Sequence, residues 1–265
     1  MKVRRDRGFA LLVVLWSLVL ITLLLATLLA SGRSAVRLAG NVRDAAIARA
    51  AADGGIDEAI FHLLGNGGWA ADGTAHKLQI GQSVVVVHVR GLSGKINPNL
   101  ASTALLAGLF QAAGMAPEQA KDLAGAVIAW RSEATTQHDK QALLDAYRRA
   151  GMAYGPPGKP FDDLNELANV MGMNPALLTA LRPHLSLYQS GDPDAAQADP
   201  MVRQALKLSG QTGAQAGVYE GNAPVAVIEA EADGPGRTQA RRRAIVSLPG
   251  AQAKPPYSIL SLSDQ

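Results

Sequence analysis

The chain of 265 residues contains no cysteine, so neither disulfide bonds nor thiolate metal sites contribute to it, in whatever compartment it works. Aromatic residues make up only 5 % of it, whereas alanine and glycine abound, a composition suited to helices packed closely through small side chains. A catalytic constellation is also missing. His62, His76, His88, His138 and His184 fall on expected helix, turn and strand with no metal-ligand spacing among them, and no nucleophile elbow or phosphate loop occurs, so the chain is not expected to be an enzyme. The formal charge is only +3, and eight of the 25 basic residues precede residue 50, so the rest of the chain is not a polycation and nucleic acid is not demanded.

The most informative absence is of charge, over the 22 residues from Phe9 to Ala30. As a helix rising about 1.5 Å per residue this run reaches roughly 33 Å, enough to cross the hydrocarbon layer. It exceeds the roughly 7–15 apolar residues of a cleaved secretory signal, so residues 9–30 are expected to be a membrane span. Ahead of it, residues 1–8 hold Lys2, Arg4, Arg5 and Arg7 against Asp6, which keeps the amino end cytoplasmic and sends the rest across. Arg33, Arg37 and Arg43 on the far side weaken that asymmetry.

Beyond the span, Val42, Ala46, Ala50, Ile56, Ile60, Leu63 and Leu64 recur at three- and four-residue spacing, which continues the helix over residues 31–64. Gly54 and Gly55 each weaken it by about 1 kcal/mol relative to Ala, so a bend or break is expected there, and the Gly65-Asn66-Gly67-Gly68 cluster ends it. Lys77–Ile80 and Ser83–Arg90 read as one hairpin, Pro224–Ala232 and Ala240–Leu248 as another, and Tyr257–Leu262 as a last strand. Between them, helices are expected at Leu100–Ala113, Pro117–Ser132, Lys140–Ala150, Asp162–Val170 and Pro175–Leu181. The exported part thus divides into sheet (65–96), an all-helical insertion (97–189), a mobile polar linker (190–223) and sheet again (224–265). The fold class is α+β: a single amino-terminal transmembrane helix extending into a long helix on an antiparallel sheet, with a large helical insertion.

Gly8 followed by Phe9, after basic residues and flush against the apolar run, resembles the junction of type IV pilins and pseudopilins. The resemblance implies cleavage between Gly8 and Phe9 by a prepilin peptidase and N-methylation of Phe9. Most of those proteins carry Glu at the fifth mature position, here Val13. A recurrent exception is the K-type minor pseudopilin, type II secretion system protein K, and further segments resemble it: Gly94-Lys95-Ile96-Asn97-Pro98-Asn99, Phe161 to Leu167 with Val170-Met171-Gly172-Met173, and Leu181-Arg182-Pro183-His184-Leu185. The resemblance implies a pilin-like structural subunit at the tip of the secretion pseudopilus, anchored once in the inner membrane with its carboxy-terminal domain periplasmic. It further implies that the subunit helps initiate assembly and export folded periplasmic proteins across the outer membrane. Its partners would be the other minor pseudopilins, the prepilin peptidase and the inner-membrane secretion platform.

Some members of that family bind calcium beside an acidic run. Here the run is Ala129-Trp130-Arg131-Ser132-Glu133 and most carboxylates are gone, so no metal or other cofactor is expected. Asp192, Asp194 and Asp199 are better explained as a solvated linker than as a cation site. A second reading is a membrane-tethered DNA-uptake protein. Ile96–Ala101 and Val170–Asn174 faintly resemble helix-hairpin-helix modules, but the block 97–189 has seven basic against eight acidic residues, a thin footprint for phosphate binding.

Overall fold

A computed structural model describes residues 6–65, 68–211, 224–250 and 252–264, with the side chains of residues 6–8, 10 and 27–35 outside the description. Helix α1 (Asp6–Leu64) is followed by strands β1 (Asp72–Ile80) and β2 (Ser83–Gly91). Five helices come next: α2 (Thr103–Ala112), α3 (Pro117–Arg131), α4 (Gln137–Arg149), α5 (Pro175–Leu181) and α6 (Pro200–Leu208). Strands β3 (Val225–Asp233), β4 (Gln239–Ser247) and β5 (Ser258–Asp264) complete the fold. The strands form one antiparallel sheet in the order β1-β2-β3-β4-β5, so the helices are spliced between two strands that are neighbours in space.

The sheet is built by alternation. Val85, Val87 and Val89 face α1 opposite Ala232, Ala230 and Ile228 of β3, while Val84, Val86 and His88 turn to the other face. Ala244 and Val246 continue the buried face on β4, and the alanines of both strands let the helix approach closely. α1 supplies Ala51, Ala52, Ile56, Ala59 and Ile60 to this core. It runs unbroken through Gly54 and Gly55, contrary to the expected bend. The reason is tertiary: a Cβ on Gly55 would meet Val85 Cγ1 at 2.8 Å and Val87 Cγ2 at 3.2 Å, so the glycine marks where the helix presses on the sheet. The far end of α1 is fastened to β1 by stacking, with Trp69 lying between His62 (ring centroids 4.7 Å apart) and His76 (3.7 Å).

The helical block has its own core of Leu105, Leu106, Leu109, Phe110, Leu123, Val127, Trp130, Tyr147, Leu167, Val170 and Leu181, all buried. Expected helices and observed ones agree to within a few residues, except that the stretch from Asp162 forms only a short 3-10 turn, Leu164–Asn169, held by a capping box between Asp163 and Glu166. The larger difference lies in the expected linker, 190–223. Residues 200–208 of it form α6, whose Val202, Ala205 and Leu206, with Ala198 before it, are buried against α2. Asp199 caps α6 through the Met201 and Val202 N–H groups at 3.0 and 3.1 Å, and Pro200 sits at its first position. The Asp-Pro pair that suggested a mobile turn is therefore a helix start. The Gln211–Gly217 part of the expected linker lies almost wholly outside the described residues.

Among the described residues no helix is long and apolar enough to cross a membrane. Of the expected span 9–30, side chains are described at Phe9 and from Leu11 to Ala26. The expected leader, 1–8, lies outside the description apart from the helical backbone of residues 6–8.

Candidate assembly surface

The amino-terminal part of α1 exposes apolar side chains on every side, from Phe9 and Leu11 through Trp16 to Leu25. A helix that is apolar all round needs an apolar environment. The polar side chains within it fold back on the helix: Ser17 donates to the Val13 carbonyl at 2.8 Å and Thr22 to that of Val19 at 2.9 Å. Phe9 is highly exposed and Val13 half-exposed, one turn apart, while the side-chain position of Gly8 lies outside the described residues.

Above this segment an apolar strip continues along α1 as Leu38 and Val42, both exposed, and reaches Ala45 and Ala46. These last residues, with Val42 and Arg49, form one wall of a groove of about 530 Å³ whose other wall is Gln239–Arg242 and Asp264. An ion-pair network closes the floor. Arg242 donates to Asp53 at 2.6 Å and to Asp264, which also pairs with Arg49. Because the Arg242 side chain is only 14 % exposed, its pairing fixes α1 against the outer strands more firmly than a surface ion pair would.

The helix enters over one end of the sheet. Thr238 Oγ1 donates to the Asp44 carbonyl at 3.2 Å, and Gly234 lies against Ala48. The helical block leaves from the opposite end, where Leu92, Val225, Val227 and Ile245 form a small apolar cluster.

That block is hinged on the Gly94–Asn99 segment. Ile96 is fully buried; its N–H donates to the His184 carbonyl and its carbonyl accepts from Ser186 N–H, both at 3.0 Å. Buried Asn97 donates through Nδ2 to the Leu187 and Gln189 carbonyls at 3.0 and 2.6 Å, and Asn99 pairs both side-chain groups with the Phe161 backbone. Lys95 donates to the Pro183 carbonyl, and a side chain at Gly94 would run into the backbone of Gln197 and Ala198. The three segments singled out by sequence resemblance thus meet in space. They join strand to helices.

In the Ala129–Glu133 run, Arg131 donates to the Pro98 and Ala101 carbonyls, and burial lowers its pKa. Of the three linker carboxylates, Asp194 caps its own turn through Ala196 N–H at 2.8 Å, and Asp199 pairs with His184 Nδ1 at 2.7 Å besides capping α6. Burial raises the Asp199 pKa, but the bond from His184, the Val202 N–H and the nearby charges of His184 and Lys95 outweigh it, leaving the carboxyl below its ordinary value. The hairpin-like segments serve packing: Asn174 caps α5 through Leu177 N–H at 2.8 Å, and the Met171 N–H donates to the hydroxyl of Tyr147, whose pKa burial raises. The His184–Asp199 pair and α6 escaped the sequence reading, although the Asp-Pro start and the 202, 205, 206 spacing were visible signals.

The architecture is α+β: a long helix laid on an antiparallel sheet, with a helical domain spliced between two adjacent strands. Residues 87–190 match the family model described as "Type II secretion system (T2SS), protein K". The fold resembles a chain of the crystal structure titled as the GspK-GspI-GspJ complex from the type 2 secretion system of enterotoxigenic Escherichia coli. The TM-score is 0.53 at 14 % identity, over 87 % of this chain and 99 % of that one. No curated protein matches. The matched residues, 87–190, hold the segments from which the sequence motifs pointed to the same family.

Proposed function

We propose that the chain is a structural, non-enzymatic minor pseudopilin at the tip of a type II secretion pseudopilus, helping to initiate its assembly and so the export of folded periplasmic proteins. The placement of the helical domain carries this reading. It projects from the end of the sheet opposite the one over which α1 enters, so a bulky block stands away from the helix that would pack among subunits below. A terminal subunit, with no neighbour above it, leaves room for such a block.

Several features agree. The exposed apolar turns from Phe9 to Leu25 suit anchoring in the inner membrane, and Val13 in place of the usual Glu suits a subunit over which none is added. The similar fold in a complex with GspI and GspJ supports other minor pseudopilins as partners, engaged along Leu38, Val42, Ala45 and Ala46. Processing between Gly8 and Phe9 by the prepilin peptidase, methylation of Phe9 and contact with the inner-membrane platform belong to the same reading. Co-purification of the full chain in detergent with the small minor pseudopilins tests it. A defined complex with a single copy of this chain is expected; long homopolymers of the chain alone would overturn the tip assignment.

A further inference from the structure

The two edges of the sheet are finished differently. β1 is interrupted by a register shift between Asp72 and Ala75 and carries His76 and Lys77, the kind of irregularity and charge that discourages pairing. β5 also has a register shift, beside Leu260, but from Ser258 to Ser263 it has no charged residue and no proline. Ile259, Leu260 and Leu262 are each nearly half exposed along it. Among the described residues no side chain or loop donates to, or accepts from, the backbone of β5 beyond its pairing with β4. A row of unpaired strand N–H and C=O groups flanked by apolar side chains is a template for another extended chain.

Both faces beside this edge are hollow. On the α1 side lies the groove of about 530 Å³ that ends at Asp264. On the other side a groove of about 360 Å³ has Ile245, Ser261 and Ser263 on its floor and Leu187 and Tyr188 on the wall of the helical domain. Side chains of a strand added to β5 would alternate between the two, since successive residues point to opposite faces.

We infer that β5 is a β-augmentation site that receives an edge strand of another minor pseudopilin, its apolar side chains entering these two grooves. The occupant follows from continuity: Val42, Ala45 and Ala46 of α1 line the same groove as Asp264, so a helix laid along α1 carries its attached sheet up to β5. The inference rests on the proposed function and adds to it the second half of the interface.

Hydrogen exchange of the full chain in detergent, with and without the co-purified minor pseudopilins, tests it. Backbone amides within 258–263 should slow by roughly tenfold or more in the complex while those of β1 stay unchanged. Leu260→Lys, which blunts the edge, and Leu262→Pro, which removes an N–H on the side away from β4, should weaken the complex by roughly tenfold, with the melting temperature of Leu260→Lys showing that the chain remains folded. If the complex forms without protecting β5, or survives both substitutions, the inference fails and the tip reading stands. If the unsubstituted chain binds no minor pseudopilin, the tip reading itself fails. Protection of β5 in the chain alone, dependent on its concentration, would make the occupant a second copy and overturn the inference.

Discussion

Adjacent glycines in α1 should respond to the same substitution with opposite sign. By intrinsic propensity each Gly→Ala change in a helix interior stabilises by about 1 kcal/mol. At Gly54 the added methyl would touch only Ile80 Cδ1 and Cγ2, both at 3.5 Å, ordinary contact distances, so the full gain is expected. At Gly55 it would stand 2.8 Å from Val85 Cγ1, 3.2 Å from Val87 Cγ2 and 3.4 Å from Ala230 Cβ. Val85 and Val87 are fully buried and β-branched, so neither methyl can swing away, and overpacking of this kind costs about 1–3 kcal/mol. The net for Gly55→Ala is a loss of up to about 2 kcal/mol. In a chain of this size the pair should separate by several degrees in melting temperature, Gly54→Ala above the unsubstituted protein and Gly55→Ala below, at roughly 2–4 °C per kcal/mol. Thermal unfolding followed by circular dichroism, with denaturant titration as the second measure, reads this directly. In a Val85→Ala background most of the Gly55→Ala penalty should disappear. Equal stabilisation by both alanines would refute the close helix–sheet contact and restore the bend that the sequence suggests.

Intact-mass analysis of the membrane-bound protein should show loss of the first eight residues with a methyl group added at Phe9; retention of Met1 or cleavage beyond Ala30 would sink the pilin-like processing. Asn97→Ala should cost about 2–3 kcal/mol in denaturant unfolding, because it strands the Leu187 and Gln189 carbonyls inside the hinge of the helical block. Asp199 has a lowered carboxyl pKa, so its contribution to stability is complete above the unfolded value of about 4 and is lost as the pH falls through the lower folded value. Asp199→Asn should remove that part of the acid dependence, and an unchanged acid-unfolding profile would show that the His184 pair is not formed. The full chain in detergent should bind duplex DNA no better than a generic protein at physiological salt; micromolar, salt-sensitive affinity weakened by Arg182→Ala would favour nucleic-acid handling instead.

The amino-acid sequence by itself determined the periodic features. An uncharged run of 22 residues, the two hairpins with their valine-rich strands, and helices opened by Pro117 and Pro175 depend on neighbours a few residues away, so they could be read locally. The Gly94–Asn99 segment was recognisable as a motif, but its task was not, because Asn97 acts on carbonyls 90 and 92 residues further on. Tertiary structure decided the rest. Gly55 breaks a helix in isolation and completes one against Val85, and Asp199-Pro200 reads as a turn until Leu206 finds the α2 core. Which strand would be left at the edge, and so which face is free for a partner, was settled only when β2 and β3, with the whole helical block between them in the chain, paired and left β5 outermost.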